Sequence, residues 1–482
     1  MGSAAGAALA NAPLTSVRPL PRAGDLLRYS AKGADDLLAE AKLSGKTGFV
    51  VADARTGEVL EARNPLLPLP PASVTKAITA LYALDRLGPG YRFRTRLIAD
   101  GVLKDGRLSG DLILMGGGDP TLDTDALGDM VRQLKAAGLR EVTGKFKVHA
   151  GALPAIASID PDQPEHVQYN PSISGLNLNY NRVHFEWQRQ AGGYAVKMDA
   201  RARKYRPQVT IARMTVVNRQ VPIYTYADTG GADQWTVAKS ALGKGGSRWL
   251  PVRKPASYAA EVFQTLARSH GIVLPRAEQS AGPVNGPVLV LRESADLRDI
   301  LRDMLKWSTN LTAEVVGLTA TAAGGKAPAS LTASAAAMTR WAKAELGATK
   351  AKLVDHSGLG AASRLSASEM VRALIKVRRA GLLPPILKDI PMRNANGEVI
   401  PDHPVKIRAK TGTLNYVGAL AGYMTAQDGR ELAFAIFSAD LDRRAQIRRE
   451  DGEVPEGTRA WKTAARRLQL RLIERWGVAY TG

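Results

Sequence analysis

The first strong hydrophobic pattern along the chain predicts a hairpin followed by a helix. In the segment FVVADARTGEVL, residues 49–60, apolar and partly alternating positions flank an Arg-Thr-Gly turn, which is typical of two antiparallel strands. Pro70 and Pro71 then precede a run with apolar residues at helical spacing, and Gly88-Pro89-Gly90 would end that helix. Its apolar positions are Ala77, Ile78, Leu81, Leu84 and Leu87.

The chain from residue 91 onward has a different pattern, with short alternating segments and many turn residues, which indicates a mostly β region. Such segments occupy residues 91–99, 111–115 and 209–217. Turn signals cluster at residues 281–287, after which helical spacing returns at Leu297 and a second helix begins near Leu311.

The C-terminal part of the chain predicts three strands and a long helix. The strands cover residues 405–413, 417–425 and 431–438, and Gln427-Asp428-Gly429-Arg430 is a strong hairpin turn between the last two. An Arg-rich amphipathic helix follows over residues 458–476. The whole pattern predicts an α/β fold: an antiparallel sheet flanked by helices from residues 13–90 plus 288–482, interrupted by a β-rich insertion over residues 91–287.

Composition and charge place this chain among ordinary folded proteins. Its 482 residues suffice for about three domains, with 45% hydrophobic and 23% charged residues. It has no cysteine, which excludes disulfides, thiolate metal sites and a cysteine nucleophile. The formal net charge is +21, and no apolar run reaches the roughly 18 residues of a spanning helix.

The first twelve residues, MGSAAGAALANA, are small and apolar and end in an A-x-A pattern. This is typical of the end of a secretory signal peptide, so we expect a mature chain that starts near Pro13 and is exported to the periplasm. A flexible leader is the alternative interpretation.

The sequence contains no complete phosphate-binding, dinucleotide-binding or metal-binding motif. Gly45-Lys46-Thr47 imitates the end of a phosphate-binding loop, but Glu40 stands where that loop requires glycine. Gly116-Gly117-Gly118 is followed by Thr121 where a dinucleotide fingerprint needs its third glycine. The six histidines show no H-x-x-x-H spacing, and no G-x-S-x-G is present. The sequence therefore predicts no metal and no cofactor.

Three short motifs remain that can carry chemistry. Ser73-Val74-Thr75-Lys76 is the one S-x-x-K of the chain, at the start of the first predicted helix. Residues i and i+3 share a helix face, so the Lys76 amine can reach the Ser73 hydroxyl. Ser308-Thr309-Asn310 is the one S-x-N, at the break between two predicted helices, and Lys410-Thr411-Gly412 lies on a predicted strand.

Each motif has a plainer interpretation when it is taken alone. Ser73 and Ser308 both stand where a helix-capping serine is common. The string Lys46-Thr47-Gly48 repeats the third motif, and context and order alone favour the later copy.

Taken together and in this order, the motifs resemble those of the penicillin-recognising serine enzymes. The sequences around the motifs narrow the resemblance to the class C low-molecular-mass penicillin-binding proteins, the D-alanyl-D-alanine carboxypeptidase/endopeptidase family. The segments that carry it are PASVTKAITALYAL, GDLILMGGGDPTL, KWSTNLTAE and KTGTLNYVGALAGY. That family has a large insertion between the first two motifs, and here 235 positions separate Ser73 from Ser308. The resemblance implies a penicillin-binding-protein/β-lactamase-like transpeptidase fold.

The resemblance also implies a mechanism. Ser73 would attack the carbonyl between two D-Ala residues of a peptidoglycan stem peptide, giving an acyl-enzyme that water hydrolyses. Lys76 would be the base, Ser308 would pass the proton to the leaving amine, and Asn310 would hold the substrate amide and orient Lys76. Because β-lactams imitate D-Ala-D-Ala, covalent inhibition at Ser73 is expected.

The third motif would bind the substrate carboxylate. Lys410 would attract it and lower the pKa of Lys76 by its like charge, while Thr411, Gly412 and Thr413 would line its site. Backbone N–H groups of Ser73 and Thr413 would form the oxyanion hole.

One departure from the family concerns Asp355-His356-Ser357-Gly358-Leu359, which resembles a D-G-S-G-L stretch with His356 in place of glycine. A solvent-facing loop histidine is the favoured interpretation, and a side chain there would narrow the cleft. Asp160 and residues 169–181 resemble family segments close to the cleft, although structural strand and turn roles are favoured for them.

Other function classes stay open at this stage. A β-lactamase would use the same serine with faster deacylation, and a non-catalytic homologue would bind cell-wall peptides. A nucleic-acid-binding protein would use Arg201, Arg203, Lys204 and Arg206 or the C-terminal helix, but no recognition module accompanies this charge, so we predict no nucleic-acid partner. The basic surface could instead approach peptidoglycan or lipid headgroups.

Overall fold

The computed structural model describes residues 32–325, 327–394, 396–448 and 451–481, so the predicted leader at residues 1–12 lies outside the described residues. In this part of the chain the strands are β1 (Lys46–Asp53), β2 (Val59–Arg63), β3 (Arg94–Lys104), β4 (Arg107–Met115), β5 (Glu141–Val142), β6 (Phe146–His149), β7 (Arg182–Gln190), β8 (Gly193–Asp199), β9 (Ala212–Val217), β10 (Tyr224–Asp228), β11 (Asp233–Ala238), β12 (Gly245–Pro251), β13 (Ala277–Ser280), β14 (Val288–Glu293), β15 (Lys388–Asp389), β16 (Lys406–Leu414), β17 (Val417–Thr425) and β18 (Glu431–Ala439).

The α-helices of the same residues are α1 (Ala34–Ala41), α2 (Thr75–Leu87), α3 (Thr124–Ala136), α4 (Pro255–Ser269), α5 (Leu297–Trp307), α6 (Asn310–Ala323), α7 (Leu331–Leu346), α8 (Ala367–Arg378), α9 (Leu441–Ala445) and α10 (Thr458–Ala479). None of them is both long and apolar enough to cross a membrane.

The main domain is built on one antiparallel sheet with strand order β15-β16-β17-β18-β1-β2. One face packs against α1 and α10 through an aromatic cluster in which Trp476 lies 5.7 Å from Phe49 and 6.1 Å from Phe434. The other face packs against α2 and α5–α8. The predicted hairpin, the C-terminal strands and the helices at residues 75, 297, 310 and 458 are confirmed, as is the α/β fold class.

Residues 94–293 contain a second hydrophobic core and three further sheets. The largest has strand order β13-β6-β4-β3-β14 with β5 beside β4, and two three-stranded sheets have the orders β10-β11-β9 and β12-β7-β8. The region also contains α3 and α4, which the β-rich interpretation missed. Asp123 caps α3 by accepting a hydrogen bond from the Ala126 N–H.

The two ends of this region lie next to each other in the fold. Strand β14 pairs antiparallel with β3, the first inserted strand. The N–H of Phe93 donates to Ser294 Oγ at 2.9 Å, and the N–H of Ser294 donates to the Phe93 carbonyl at 2.9 Å. We therefore propose residues 94–293 as the inserted unit, six residues longer at its C-terminal end than the turn signals indicated.

Candidate active site

Ser73 lies in a short 3₁₀ turn, Ala72–Val74, that leads into α2. The residue that caps α2 is Val74, and no side chain makes a cap hydrogen bond there. The capping interpretation of Ser73 is therefore wrong. Its hydroxyl accepts a hydrogen bond from Lys76 Nζ at 3.0 Å, as the S-x-x-K spacing predicts.

Lys76 is fully buried and has three hydrogen-bond acceptors for its three N–H groups. Its Nζ donates to Ser73 Oγ at 3.0 Å, to Asn310 Oδ1 at 2.7 Å and to the Ser357 carbonyl at 2.7 Å. Burial lowers the pKa of Lys76 to about 8, although the charges of Asp355 and Glu314 act in the opposite direction. At pH 7 the neutral amine then costs about 1.4 kcal/mol, against more than 4 kcal/mol for an ordinary lysine.

The S-x-N motif occupies the junction between α5 and α6. Ser308 ends α5 in the left-handed region at φ 58°, and Thr309 precedes α6 without a side-chain cap bond. The capping interpretation is thus wrong for Ser308 as well, since its hydroxyl accepts a hydrogen bond from Lys410 Nζ at 3.0 Å. Asn310 opens α6 and is bonded on both sides, because its Nδ2 donates to the Tyr169 carbonyl at 2.8 Å.

The third motif lies on β16, which passes beside the Ser73 turn. Lys410 is buried, and burial together with the charges of Lys76 and Lys388 holds the pKa of Lys410 well below its usual value. A Cβ on Gly412 would lie 2.7 Å from the Pro71 carbonyl and 3.0 Å from the Ser73 nitrogen. Glycine therefore lets this strand approach the serine closely. Thr411 and Thr413 alternate with these residues and are exposed.

The competing copy, Lys46-Thr47-Gly48, lies elsewhere in the fold. It starts β1, which is separated from β16 by β17 and β18, and Thr47 Oγ1 hydrogen-bonds Ser438 Oγ at 2.9 Å. Of the two copies, the later one is the one whose lysine contacts Ser308, which supports the choice made from chain order and context. The structure brings together Ser73, Lys76, Ser308, Asn310 and Lys410, with Gly412 beside Ser73.

Two buried carboxylates stand behind Lys76. Glu314 accepts the N–H groups of His356 and Ser357 at 3.0 and 2.8 Å, and Asp355 accepts those of Gly358 and Gly360 at 2.6 Å each. Burial raises the pKa of both groups, and the Asp355 charge raises that of Glu314 further. They fix the loop that presents the Ser357 carbonyl to Lys76. The sequence analysis missed Glu314, although a glutamate four residues after Asn310 on an apolar helix was a signal.

His356 is a clear correction to the sequence analysis. It is buried, not solvent-facing, with Nε2 2.8 Å from Ser334 Oγ and Nδ1 3.3 Å from Met338 Sδ. A Cβ on Gly317 would lie 2.2 Å from its ring. The ring thus packs between α6 and α7, and the expectation that it narrows the cleft is wrong. Burial lowers the pKa of His356 to about 3.

One group in the described part of the chain has donor atoms close enough to hold a metal ion. His184, Glu186 and Asp199 place their ligand atoms within 4.8 Å of one another in the insertion. Arg201 already donates to Glu186 at 2.6 Å and to Asp199 at 2.9 and 3.1 Å, and Lys197 lies 3.5 Å from Asp199, so two cationic side chains already pair with the two carboxylates. We assign no metal to this group.

Comparison with known proteins gives a consistent result. The model of the D-Ala-D-Ala carboxypeptidase 3 (S13) family matches residues 31–455. The chain is 28% identical over 446 residues to a D-alanyl-D-alanine carboxypeptidase of Actinomadura sp. (strain R39), covering 83% of this chain and 79% of that protein. It is 24% identical over 428 residues to D-alanyl-D-alanine carboxypeptidase DacB of Haemophilus influenzae, covering 83% of this chain and 87% of that protein.

Solved structures agree with the fold. The crystal structure of penicillin binding protein 4 (dacB) from Haemophilus influenzae superposes with a TM-score of 0.72 at 21% identity, covering 92% of this chain and 99% of that one. The same protein complexed with a novel β-lactam gives a TM-score of 0.70 at 22% identity, with the same coverage.

Proposed function

The chain belongs to the D-Ala-D-Ala carboxypeptidase 3 (S13) family and is a serine-type D-Ala-D-Ala carboxypeptidase; we propose that Ser73 is its nucleophile and Lys76 its base. The observation that carries this assignment is the 3.0 Å contact between Lys76 Nζ and Ser73 Oγ, made by a buried lysine whose pKa falls to about 8. A base with a pKa near the working pH is what proton abstraction from serine requires.

The three contacts of Lys76 favour the direction of proton transfer. Asn310 Oδ1 and the Ser357 carbonyl can accept hydrogen bonds but cannot donate them, whereas the Ser73 hydroxyl can do both. When Lys76 loses a proton, its two remaining N–H groups stay on the carbonyl oxygens. Its lone pair is then directed at Ser73, which can donate its proton.

The other motif residues supply the remaining roles. Ser73 Oγ attacks the carbonyl of the D-Ala-D-Ala bond, and Lys76 takes its proton. The Ser308 hydroxyl, which accepts a hydrogen bond from Lys410, passes this proton from Lys76 to the departing D-Ala amine, and water then hydrolyses the acyl-enzyme to regenerate Ser73. Lys410, Thr411 and Thr413 bind the terminal carboxylate, and Gly412 keeps the strand close. The N–H groups of Ser73 and Thr413 stabilise the oxyanion.

The proposed substrates are peptidoglycan stem peptides, and β-lactams are the proposed covalent inhibitors. A β-lactam is bound in the solved structure of the Haemophilus protein, which supports this second part. Because peptidoglycan lies outside the cytoplasmic membrane, we also propose a periplasmic location.

Intact-protein mass spectrometry with benzylpenicillin tests the assignment. We expect one adduct, mapped to the peptide that contains Ser73, and release of D-Ala from a stem pentapeptide by the untreated enzyme. Ser73→Ala should abolish both, whereas Ser240→Ala, at an exposed serine of the insertion, should leave both unchanged. An adduct on another residue, or hydrolysis by Ser73→Ala, would refute the proposal. Rapid loss of the adduct with drug turnover would identify a β-lactamase instead.

A further inference from the structure

The side-chain amide of Asn310 must face a particular way for Lys76 to keep its acceptor. An amide has one accepting and one donating end, and a rotation of 180° exchanges them. The Tyr169 carbonyl can only accept, so its 2.8 Å bond fixes Nδ2 on that side and leaves Oδ1 for Lys76 at 2.7 Å. The orientation of this motif residue therefore depends on a backbone group of the insertion.

The segment that carries Tyr169, residues 156–173, is a loop held at its base and through its middle. Ile156 and Ile173 exchange backbone hydrogen bonds of 3.0 and 2.8 Å at the base. Asn170, which is 1% exposed, accepts the N–H groups of Ile159 and Asp160 and donates to the Asp160 carbonyl at 2.7 Å. Tyr169 is thus adjacent to Asn170, a buried residue whose side chain makes three hydrogen bonds within the loop.

Arg253 joins this loop to the body of the insertion. Its guanidinium donates to the carbonyls of Ala157 at 3.0 Å, Asn170 at 2.9 Å and Glu165 at 2.8 Å. Its own backbone N–H donates to Asp233 Oδ2 at 2.7 Å, and Asp233 begins β11. A planar guanidinium suits this task, since it has donors that diverge in one plane toward several carbonyls.

From this sequence of contacts we infer that Arg253 is a positioning residue for the peptidase reaction: through the loop at residues 156–173 it fixes the amide of Asn310. The inference rests on the proposed roles of Ser73, Lys76 and Asn310. It gives the insertion a part in the chemistry of the main domain, because without the Tyr169 carbonyl the Asn310 amide could rotate. Lys76 would then lose Asn310 Oδ1 as an acceptor, and the substrate amide would lose a partner in a fixed orientation.

Arg253→Met should slow acylation of Ser73 by benzylpenicillin by about tenfold to a hundredfold, the range expected for slight misplacement of a reacting group. The acid limb of the pH profile for acylation should also move to lower pH, because an ammonium without its Asn310 acceptor loses protons more easily. Arg253→Lys should restore part of the rate. A loss of folded protein would instead lower the fraction of protein that is acylated, and it would leave the acid limb of the pH profile in place.

Arg219 offers a matched control in the same insertion. Its Nε donates to the Pro222 carbonyl at 2.6 Å and its NH2 group to the Ile223 and Thr236 carbonyls at 3.4 Å, and none of these three acceptors belongs to the loop at residues 156–173. Arg219→Met should acylate at the wild-type rate with an unmoved profile. Equal rates per folded site and unmoved profiles for Arg219→Met and Arg253→Met would overturn the inference.

A double-mutant cycle separates action through Asn310 from an independent effect. In an Asn310→Ala background, followed over hours by mass spectrometry, Arg253→Met should change the acylation rate by less than twofold. A full additional loss there would overturn the inference while the wild-type adduct on Ser73 still supported the proposed function. Absence of that adduct in the wild type would instead refute the proposed function.

Discussion

Lys76 is surrounded by three fixed hydrogen-bond acceptors in place of water, and this environment sets the pH range in which it can act as a base. Water would stabilise the ammonium better than one hydroxyl and two carbonyl oxygens do, so burial favours the neutral amine. The like charge of Lys410 was expected to lower the pKa of Lys76. In the structure burial is the main cause for Lys76, and the like-charge effect is found on Lys410.

A pH dependence follows for the acylation step. Below pH 8 most Lys76 is protonated and cannot accept the Ser73 proton, so the second-order acylation rate should rise about tenfold per pH unit and level off above pH 8. Stopped-flow acylation with a chromogenic β-lactam between pH 5.5 and 9.5 measures this. A rate that is flat across this range would contradict Lys76 as the base.

His356 should make stability depend on pH. Its pKa is about 3 in the folded protein and about 6.5 when unfolded, so the unfolded chain binds the extra proton between these values. Stability from this residue is complete above pH 6.5 and falls by about 1.4 kcal/mol per pH unit below it. His356→Gln, compared with wild type by urea unfolding at pH 7 and pH 5, should remove this part of the decline. An identical decline in both proteins would contradict the burial of a neutral ring.

Among the elements, the ends of secondary structures carry the site. Ser73 precedes α2, Ser308 lies between α5 and α6, and Gly412 lies near the end of β16. A left-handed serine at φ 58° costs roughly 1–2 kcal/mol relative to ordinary backbone. Its hydroxyl meets Lys410 only because the chain turns at that point, so the strain lies where the chemistry needs it.

The close approach of β16 to the Ser73 turn gives a prediction for Gly412→Ala. The added methyl group would meet the Pro71 carbonyl and the Ser73 nitrogen, so the strand must move away. We expect acylation at least about tenfold slower and a loss of roughly 1–3 kcal/mol in unfolding free energy. Gly282→Ala is the control, since that glycine is exposed and a Cβ there meets nothing within 4 Å in the described part of the chain. Equal behaviour of the two variants would contradict the packing.

Local patterns made the elements and motifs of the main domain predictable. Each motif is defined by residues three apart or fewer, and each lies at an element boundary that Pro, Gly or apolar spacing marks. The pairing of Asn310 with residue 169 could not be read in this way, because the partner is a backbone carbonyl and any residue type supplies one. The burial of His356 depends on Gly317 and Ser334, both distant in sequence. Helix α3 was predictable, since Leu127, Met130, Val131 and Leu134 recur at helical spacing.

Over the whole molecule, the net charge of +21 means that basic side chains outnumber acidic ones, so ion pairs within the chain cannot neutralise all of them. Arg459, Arg466 and Arg467 are exposed on α10, on the side away from the sheet, whereas Arg471 pairs with Glu40 at 2.7 Å. That these charges serve no nucleic-acid partner stays a prediction. Under the proposed function, the anionic cell wall would attract this basic surface.

Binding to purified peptidoglycan should therefore weaken with salt. Raising the ionic strength from 0.1 to 1 M shortens the screening length from about 10 Å to about 3 Å, so the fraction of Ser73→Ala protein that sediments with peptidoglycan should fall several-fold. Cellulose, which is uncharged, serves as the control matrix. Retention that is independent of salt would contradict an electrostatic attraction.

The hydrogen bonds between Phe93 and Ser294 bear on how such a chain can have arisen. Phe93 and Ser294 are in contact although 200 residues lie between them. At such a place a long segment can be inserted with little loss of conformational entropy for the rest of the chain, because its two ends are already held together. A segment inserted there brings with it the Tyr169 carbonyl, the partner of the Asn310 amide.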